Sequence, residues 1–230
     1  MAFDNTVFIT ATDTSVGKTY ISGLLLAYLI DHGINCGYQK WISTGNRRMS
    51  EDLAFCLQLA EIPFMEEMID QHVPYRFQFP AAPHLAAELD NREVKPEIIL
   101  ANYEAMSIRY QKLIVEGVGG LMVPLRRDLL LIDFMAPLKI KTILVCRSGL
   151  GTINHSLLSI EALRHRNIPL LGLVFTDSGP GEDEILSMDN MKVVEELGRT
   201  KVFGRLPWCE NTEDAKKCFA PIGEKIAQVI

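Results

Sequence analysis

The chain has 230 residues, 48% of them hydrophobic, and its 23 basic and 29 acidic side chains leave a formal net charge of −6. That length suits one α/β domain with a core on both faces of a sheet. The acidic balance excludes a broad nucleic-acid-binding surface and leaves anionic ligands to a locally basic cleft. Five scattered cysteines without a close CxxC pair indicate neither a disulfide frame nor a zinc ribbon, and fit free thiols in a reducing cytosol. The sequence opens without a basic and apolar leader, and no apolar run reaches the ~20 residues that cross a bilayer. The expectation is a soluble cytoplasmic protein with no membrane and no nucleic-acid partner.

Residues 7–10 form a short β-branched apolar run, the pattern of a buried strand. A polar loop leads to Gly17-Lys18-Thr19, and the apolar-periodic segment 21–30 predicts a helix. Strand, loop, Gly-Lys-Thr and helix compose a phosphate-binding loop. Loop and helix N-terminus both aim unpaired backbone N–H groups inward, where the helix dipole favours an anion. Gly17 lets the backbone approach phosphates, Lys18 is a point charge for their oxygens, and the Thr19 hydroxyl can ligate Mg2+. Thr12 stands five residues before Gly17, where the motif's first glycine is usual. A capped strand-to-helix turn would explain a bare Gly-Lys-Thr, but the flanking strand and helix favour a nucleotide.

Gly33 reads as a helix stop, and residues 34–39 as a second strand running into Lys40-Trp41-Ile42-Ser43-Thr44-Gly45. In an open α/β sheet ligands bind at that strand end; a surface lysine is the plainer alternative for Lys40. Residues 46–51 read as a polar, mobile loop. Asp52 opens an apolar-periodic helix and is either its N-cap or an Mg2+ ligand. Residues 61–79 show no clear period. Pro80 and Pro83 fix a loop, a helix with a structural His84 follows through residue 89, and residues 93–108 predict a helix covering one sheet face. Residues 113–115 form a strand ending in Glu116, followed by three glycines within four residues. A carboxylate there suits a second metal partner of a phosphate-loop site; a solvated glutamate at a tight turn is the alternative. A strand at 141–145 precedes Gly149, Gly151, Thr152 and Asn154 at the start of a helix, a nest suited to a carboxylate that ordinary capping also explains. Residues 169–175 form a strand with Thr176 and Asp177 at its end, 202–206 form the last one, and 220–230 a closing helix. Strands and helices alternate throughout. The expected fold is a P-loop-type α/β domain over residues 1–230, a mostly parallel sheet with helices on both faces.

The ordered set at 11–19, 40–45, Asp52, Pro83-His84, 115–120, 150–155 and Pro207-Trp208 resembles the dethiobiotin synthetase family, and the resemblance covers nearly the whole chain. It implies ATP- and Mg2+-dependent closure of a cyclic urea on 7,8-diaminononanoate with CO2, in biotin biosynthesis, by a homodimer with interfacial active sites. One amine would take up CO2 as a carbamate whose oxygen attacks the γ-phosphate, and the second amine would attack the mixed anhydride. The resemblance assigns Lys18, Lys40 and Thr14 to catalysis and Thr19, Asp52 and Glu116 to the metal. It assigns Asp13, Thr14, Ser15, Val16, Gly17, Lys18, Thr19, Tyr20, Glu116 and Gly119 to the nucleotide, with Thr176, Asp177, Pro207 and Trp208 around its base. Substrate would meet Lys40, Thr44, Ala82 and Gly119, and its distal carboxylate Gly151, Thr152 and Asn154 of the neighbouring subunit.

Three residues depart from the family pattern. Ala11 replaces a glycine, and Trp41 replaces the proline after the active-site lysine, which leaves the register of Gln39 and Lys40 open. Thr176 stands where an asparagine commonly reads adenine. A hydroxyl cannot copy an amide's paired donor and acceptor, so looser nucleotide discrimination is expected. The rival readings are another amide- or ring-forming ligase on this fold, a partitioning-type switch ATPase and a degenerate nucleotide-binding module. No glutaminase part fits beside the motifs, position 12 is not the second lysine of a switch ATPase, and intact Lys18, Thr19, Asp52 and Glu116 oppose degeneracy.

Overall fold

A computed structural model describes residues 4–46 and 48–230. Position 47, within the segment read as a mobile polar loop, lies outside the described residues. In chain order the elements are β1 (Thr6–Ala11), α1 (Lys18–Asp31), β2 (Cys36–Lys40), β3 (Ile42–Thr44), α2 (Glu51–Leu59), α3 (Ile69–His72), β4 (Tyr75–Phe77), α4 (Pro83–Leu89) and α5 (Pro96–Arg109). There follow β5 (Lys112–Glu116), β6 (Pro124–Arg126), β7 (Leu129–Leu130), α6 (Leu131–Met135), β8 (Lys141–Arg147), α7 (Thr152–His165), β9 (Leu170–Thr176), α8 (Glu184–Gly198), β10 (Val202–Leu206) and α9 (Thr212–Ala227).

Six strands form one parallel sheet in the order β10-β9-β8-β1-β5-β2. All six residues of β1 are buried, because helices cover both faces and a parallel strand then reads as a continuous apolar run. Alternate side chains serve opposite cores. Val7 and Ile9 join Leu24 and Leu25 of α1, Leu57 of α2 and Phe219 of α9. Phe8 joins Ile99 and Tyr103 of α5 and Ile132 of α6. On the β8–β9 side, Leu144 and Phe175 pack with Ile160 of α7 and Val194 of α8. Two small two-stranded sheets, β3 with β4 and β6 with β7, sit outside the main one.

Several boundaries differ from the sequence expectation. Asp52 is not the cap of α2: Ser50 Oγ accepts the Leu53 N–H at 3.3 Å, which frees the Asp52 carboxylate. The helix expected from 93 begins at Pro96, whose missing N–H costs nothing in the first turn. The closing helix starts at Thr212, where Asn211 accepts the Asp214 N–H at 2.9 Å; its charged first turns and internal Pro221 hid them. Helix α8, with only Ser187, Asn190, Met191, Val194 and Gly198 buried, carries too short an apolar stripe to be noticed.

Candidate active site

The site is assembled at the carboxyl ends of β1, β5 and β2, which lie side by side. Between β1 and α1 the loop takes left-handed backbone at Ser15 (φ 54°) and Gly17 (φ 92°). Gly17 cannot be replaced cheaply: besides its φ, a Cβ there would sit 3.3 Å from the Thr176 side chain. The turn leaves the first N–H groups of α1 without helical partners. The Thr176 hydroxyl braces it from below by donating to the Val16 carbonyl at 2.6 Å.

Glu116 closes β5 and Lys40 closes β2, and the two are register partners across the parallel pair. Their side chains meet on one face: Lys40 Nζ lies 2.6 Å from Glu116 Oε1 and 2.9 Å from Asp52 Oδ2. The Thr19 hydroxyl lies 2.9 Å from both Asp52 Oδ1 and Glu116 Oε1. Tyr38, two residues before Lys40, donates its phenol proton to Glu116 Oε2 at 2.9 Å. Gln39 points the other way, accepting from Trp41 Nε1 at 3.2 Å and donating to the Gln71 carbonyl at 3.1 Å. Lys40, not Gln39, therefore faces this cluster, and Trp41 is packed in the core against Phe8 with ring centroids 4.8 Å apart.

Two ammonium groups share the cavity with different charges at stake. Burial, and then the neighbouring Lys40 charge, bring Lys18 down to about 8. Burial opposes the charge of Lys40 as well, but the carboxylates of Glu116 and Asp52 overcome it and hold that ammonium above the ordinary lysine range. Asp52 is held below the usual carboxylate range: burial opposes this, and the Lys40 charge with hydrogen bonds from Lys40 and Thr19 prevails.

A cavity of about 480 Å³ is lined by Thr14, Ser15, Gly17, Lys18, Thr19, Tyr20, Lys40, Thr44, Asp52, Glu116 and Gly119, all singled out from sequence, together with Ile42 and Val118. Val16 is buried beneath the loop, and the Asp13 carboxylate accepts the Thr14 N–H at 2.7 Å. Asp177 lies outside that lining. Arg205 holds it at 2.7 and 2.8 Å, Ser148 Oγ at 2.5 Å and the Trp208 N–H at 3.3 Å. That lock pins Pro207-Trp208 to β9. Ala82 and the start of α7 are also absent from the lining; Thr152 is buried with its hydroxyl 3.3 Å from Ser156 Oγ, and Gly151 and Asn154 are exposed. Tyr38 was missed in the sequence. The alternation that puts residues 38 and 40 on one strand face could have found it.

Thr19, Asp52 and Glu116 bring three hard oxygens together, the donors a small divalent cation takes when water and phosphate complete its shell. Among the described residues no group of three or more His, Cys, Asp or Glu side chains could hold a metal unaided. The donor set thus fits a nucleotide-bound Mg2+ rather than an all-protein cage.

A family model described as an AAA domain matches residues 5–216. The ATP-dependent dethiobiotin synthetase of Rhodopseudomonas palustris is 40% identical over 202 residues, 87% of this chain and 85% of that protein. The enzyme of the same description from Halalkalibacterium halodurans is 36% identical over 90% of this chain and 86% of its own length. The one from Methanocaldococcus jannaschii is 35% identical over 86% and 92%. Among solved structures, the MinD cell division protein of Aquifex aeolicus superposes with a TM-score of 0.59 at 12% identity, covering 97% of both chains. A ParA family ATPase from Chlorobium tepidum gives 0.54 at 11% over 96% of both. At such identities the likeness is one of fold alone, whereas identities of 35–40% across most of the chain carry family membership. The chain belongs to the ATP-dependent dethiobiotin synthetase family.

Proposed function

We propose that the protein is a ligase that converts 7,8-diaminononanoate, CO2 and ATP to dethiobiotin, ADP and phosphate. The observation that carries this reading is the convergence of Lys18, Lys40, Thr19, Asp52 and Glu116, from four separate segments, on one cavity. Phosphoryl transfer asks a protein chiefly for positioning and charge neutralisation. The loop N–H groups and Lys18 take the β- and γ-phosphates. Thr19, Asp52 and Glu116 would hold Mg2+, which would supply charge neutralisation to the phosphate. Lys40 sits opposite Lys18 and orients the carbamate oxygen for attack on the γ-phosphorus, with Thr14 and Thr44 donating hydrogen bonds. The second amine then displaces phosphate from the mixed anhydride and closes the urea, each amine losing its proton to solvent.

Residues 1–230 act as one domain in this reading, in the cytoplasm. No helix among the described residues is long and apolar enough to cross a membrane. Gly151, Thr152 and Asn154 serve the cavity of a second copy in a homodimer, which accounts for a carboxylate-type nest lying outside its own chain's cavity. Thr176, Asp177, Pro207 and Trp208 form the floor on the base side. The experiment is to incubate the protein with diaminononanoate, bicarbonate and MgATP, following phosphate release and the mass of the cyclic product. Release that requires the diamine supports the reading. Hydrolysis indifferent to it would point to a switch ATPase, and silence to a degenerate module.

A further inference from the structure

Glu116 has two carboxylate oxygens in two different settings. Oε1 meets the cavity-lining groups, Lys40 Nζ at 2.6 Å and Thr19 Oγ1 at 2.9 Å. Oε2 accepts the Tyr38 hydroxyl at 2.9 Å. Tyr38 does not line the nucleotide cavity; it is a core side chain, 1% exposed, packed among Cys56 and Leu57 of α2. Glu116 itself is wholly buried, and the hydrogen bond to Oε2 comes from the core side.

We infer that Tyr38 is a positioning residue that restricts Glu116 to one-oxygen coordination of the nucleotide's cation and so favours Mg2+ over Ca2+. The inference rests on the proposed role of Glu116 as a metal ligand. Mg2+ takes single oxygens at about 2.0–2.1 Å in near-ideal octahedral geometry, whereas Ca2+ at about 2.3–2.6 Å accepts a carboxylate by both oxygens. Chelation by both would require Oε2 to leave the phenol and turn toward the cavity. The Tyr38 O–H would then be left, buried, with only the Cys56 thiol beside it, a weak acceptor that does not make good the lost carboxylate. The same Tyr38–Glu116 bond pre-orients Oε1, so its loss weakens the one-oxygen mode that Mg2+ requires, while for Ca2+ the two-oxygen mode that it opens offsets the loss.

The test is a competition titration of Mg2+ and of Ca2+ against Mn2+, read by the electron paramagnetic resonance of bound Mn2+, on the full chain with saturating ADP. In Tyr38→Phe the Mg2+ association constant is expected to fall by at least tenfold, the lower end for outer-shell partners of a metal ligand. The Ca2+ constant should change by less than about threefold, so that the Mg2+:Ca2+ ratio collapses with it. A 3-fluorotyrosine at position 38, a stronger donor of nearly the same shape, should widen that ratio and covers the case in which the Phe variant does not fold. An unchanged ratio in either folded variant overturns the inference. Glu116→Gln separates the two levels of the argument. If it leaves Mg2+ binding intact, the metal role of Glu116 fails and the inference with it. If it weakens Mg2+ binding while Tyr38→Phe keeps the ratio, the Tyr38 inference alone fails.

Discussion

Lys40→Met isolates the electrostatics of the buried cluster. The ammonium lies 2.6 Å from a carboxylate that is 0% exposed and 2.9 Å from one that is 32% exposed. At an effective dielectric of about 20 the closer pair alone attracts by ~6 kcal/mol, before desolvation of either ion is counted. Removing one member of a buried pair costs about 3–5 kcal/mol, because the other charge stays buried and uncompensated. The low end applies here: Tyr38 and Thr19 still donate to Glu116, and solvent partly screens Asp52. We expect Lys40→Met to lose about 3 kcal/mol of folding stability at pH 7 without metal, read by urea unfolding. Glu116→Gln in that background should restore about 2 kcal/mol, since an amide drops the charge while its oxygen still accepts from Tyr38 and its nitrogen donates to the Thr19 hydroxyl oxygen. Added Mg2+ should help Lys40→Met more than the parent, a dication standing in for the lost ammonium. A double variant no more stable than Lys40→Met would refute the reasoning.

Lys18→Met should abolish phosphoryl transfer, by at least about a thousandfold in kcat, yet raise the thermal midpoint by about 2–4 °C, since it removes a buried charge beside Lys40. A lowered midpoint would contradict the burial argument. Nucleotide affinity should be constant below pH 8 and decline above it. Bound phosphate raises the Lys18 value from about 8 in the free protein, so affinity is complete below that value and is lost as pH climbs toward the higher one of the complex. Calorimetry at pH 8 in buffers of different ionisation enthalpy should register proton uptake on binding, and a flat affinity from pH 7 to about 9.5 would count against it. ATP and GTP should give comparable turnover, because the Thr176 hydroxyl already donates its proton to Val16 at 2.6 Å; strict ATP preference would show that another group reads the base.

What was legible in the sequence was local. The β1 run, Gly17-Lys18-Thr19 and the α1 periodicity follow one another within residues 6–31, so strand, turn and helix could be read from spacing. Glu116 was legible because an apolar strand ends abruptly in a carboxylate and glycines. Less legible was whatever depends on two distant segments. Asp52 reads equally as a helix cap, and only Ser50 taking that duty releases it to Lys40 and Thr19. The register of Gln39 and Lys40 depends on which side chain β2 turns toward β5's ligand face, which Trp41 obscures in the sequence and the pairing of Lys40 with Glu116 decides. The setting of Asp177 was not legible because nothing local announces Arg205, 28 residues on, which takes up both of its oxygens.

The order of the sheet explains why these particular residues meet. From β1 the chain passes to one side to build β2 and β5, and then to the other to build β8, β9 and β10. The crevice beyond the carboxyl end of β1 is therefore not covered by a connection, and the phosphate-type loop opens there. Because β5 lies between β1 and β2, a carboxylate at its last position is flanked by Thr19 of α1 on one side and Lys40 of β2 on the other. MinD of Aquifex aeolicus shares the fold at 12% identity, so the frame alone does not decide the chemistry. The deciding feature is which side chains stand at three adjacent strand ends. In this chain β5 ends in an acid held from behind by a phenol and β2 in a lysine whose charge that acid needs, beside the loop that follows β1.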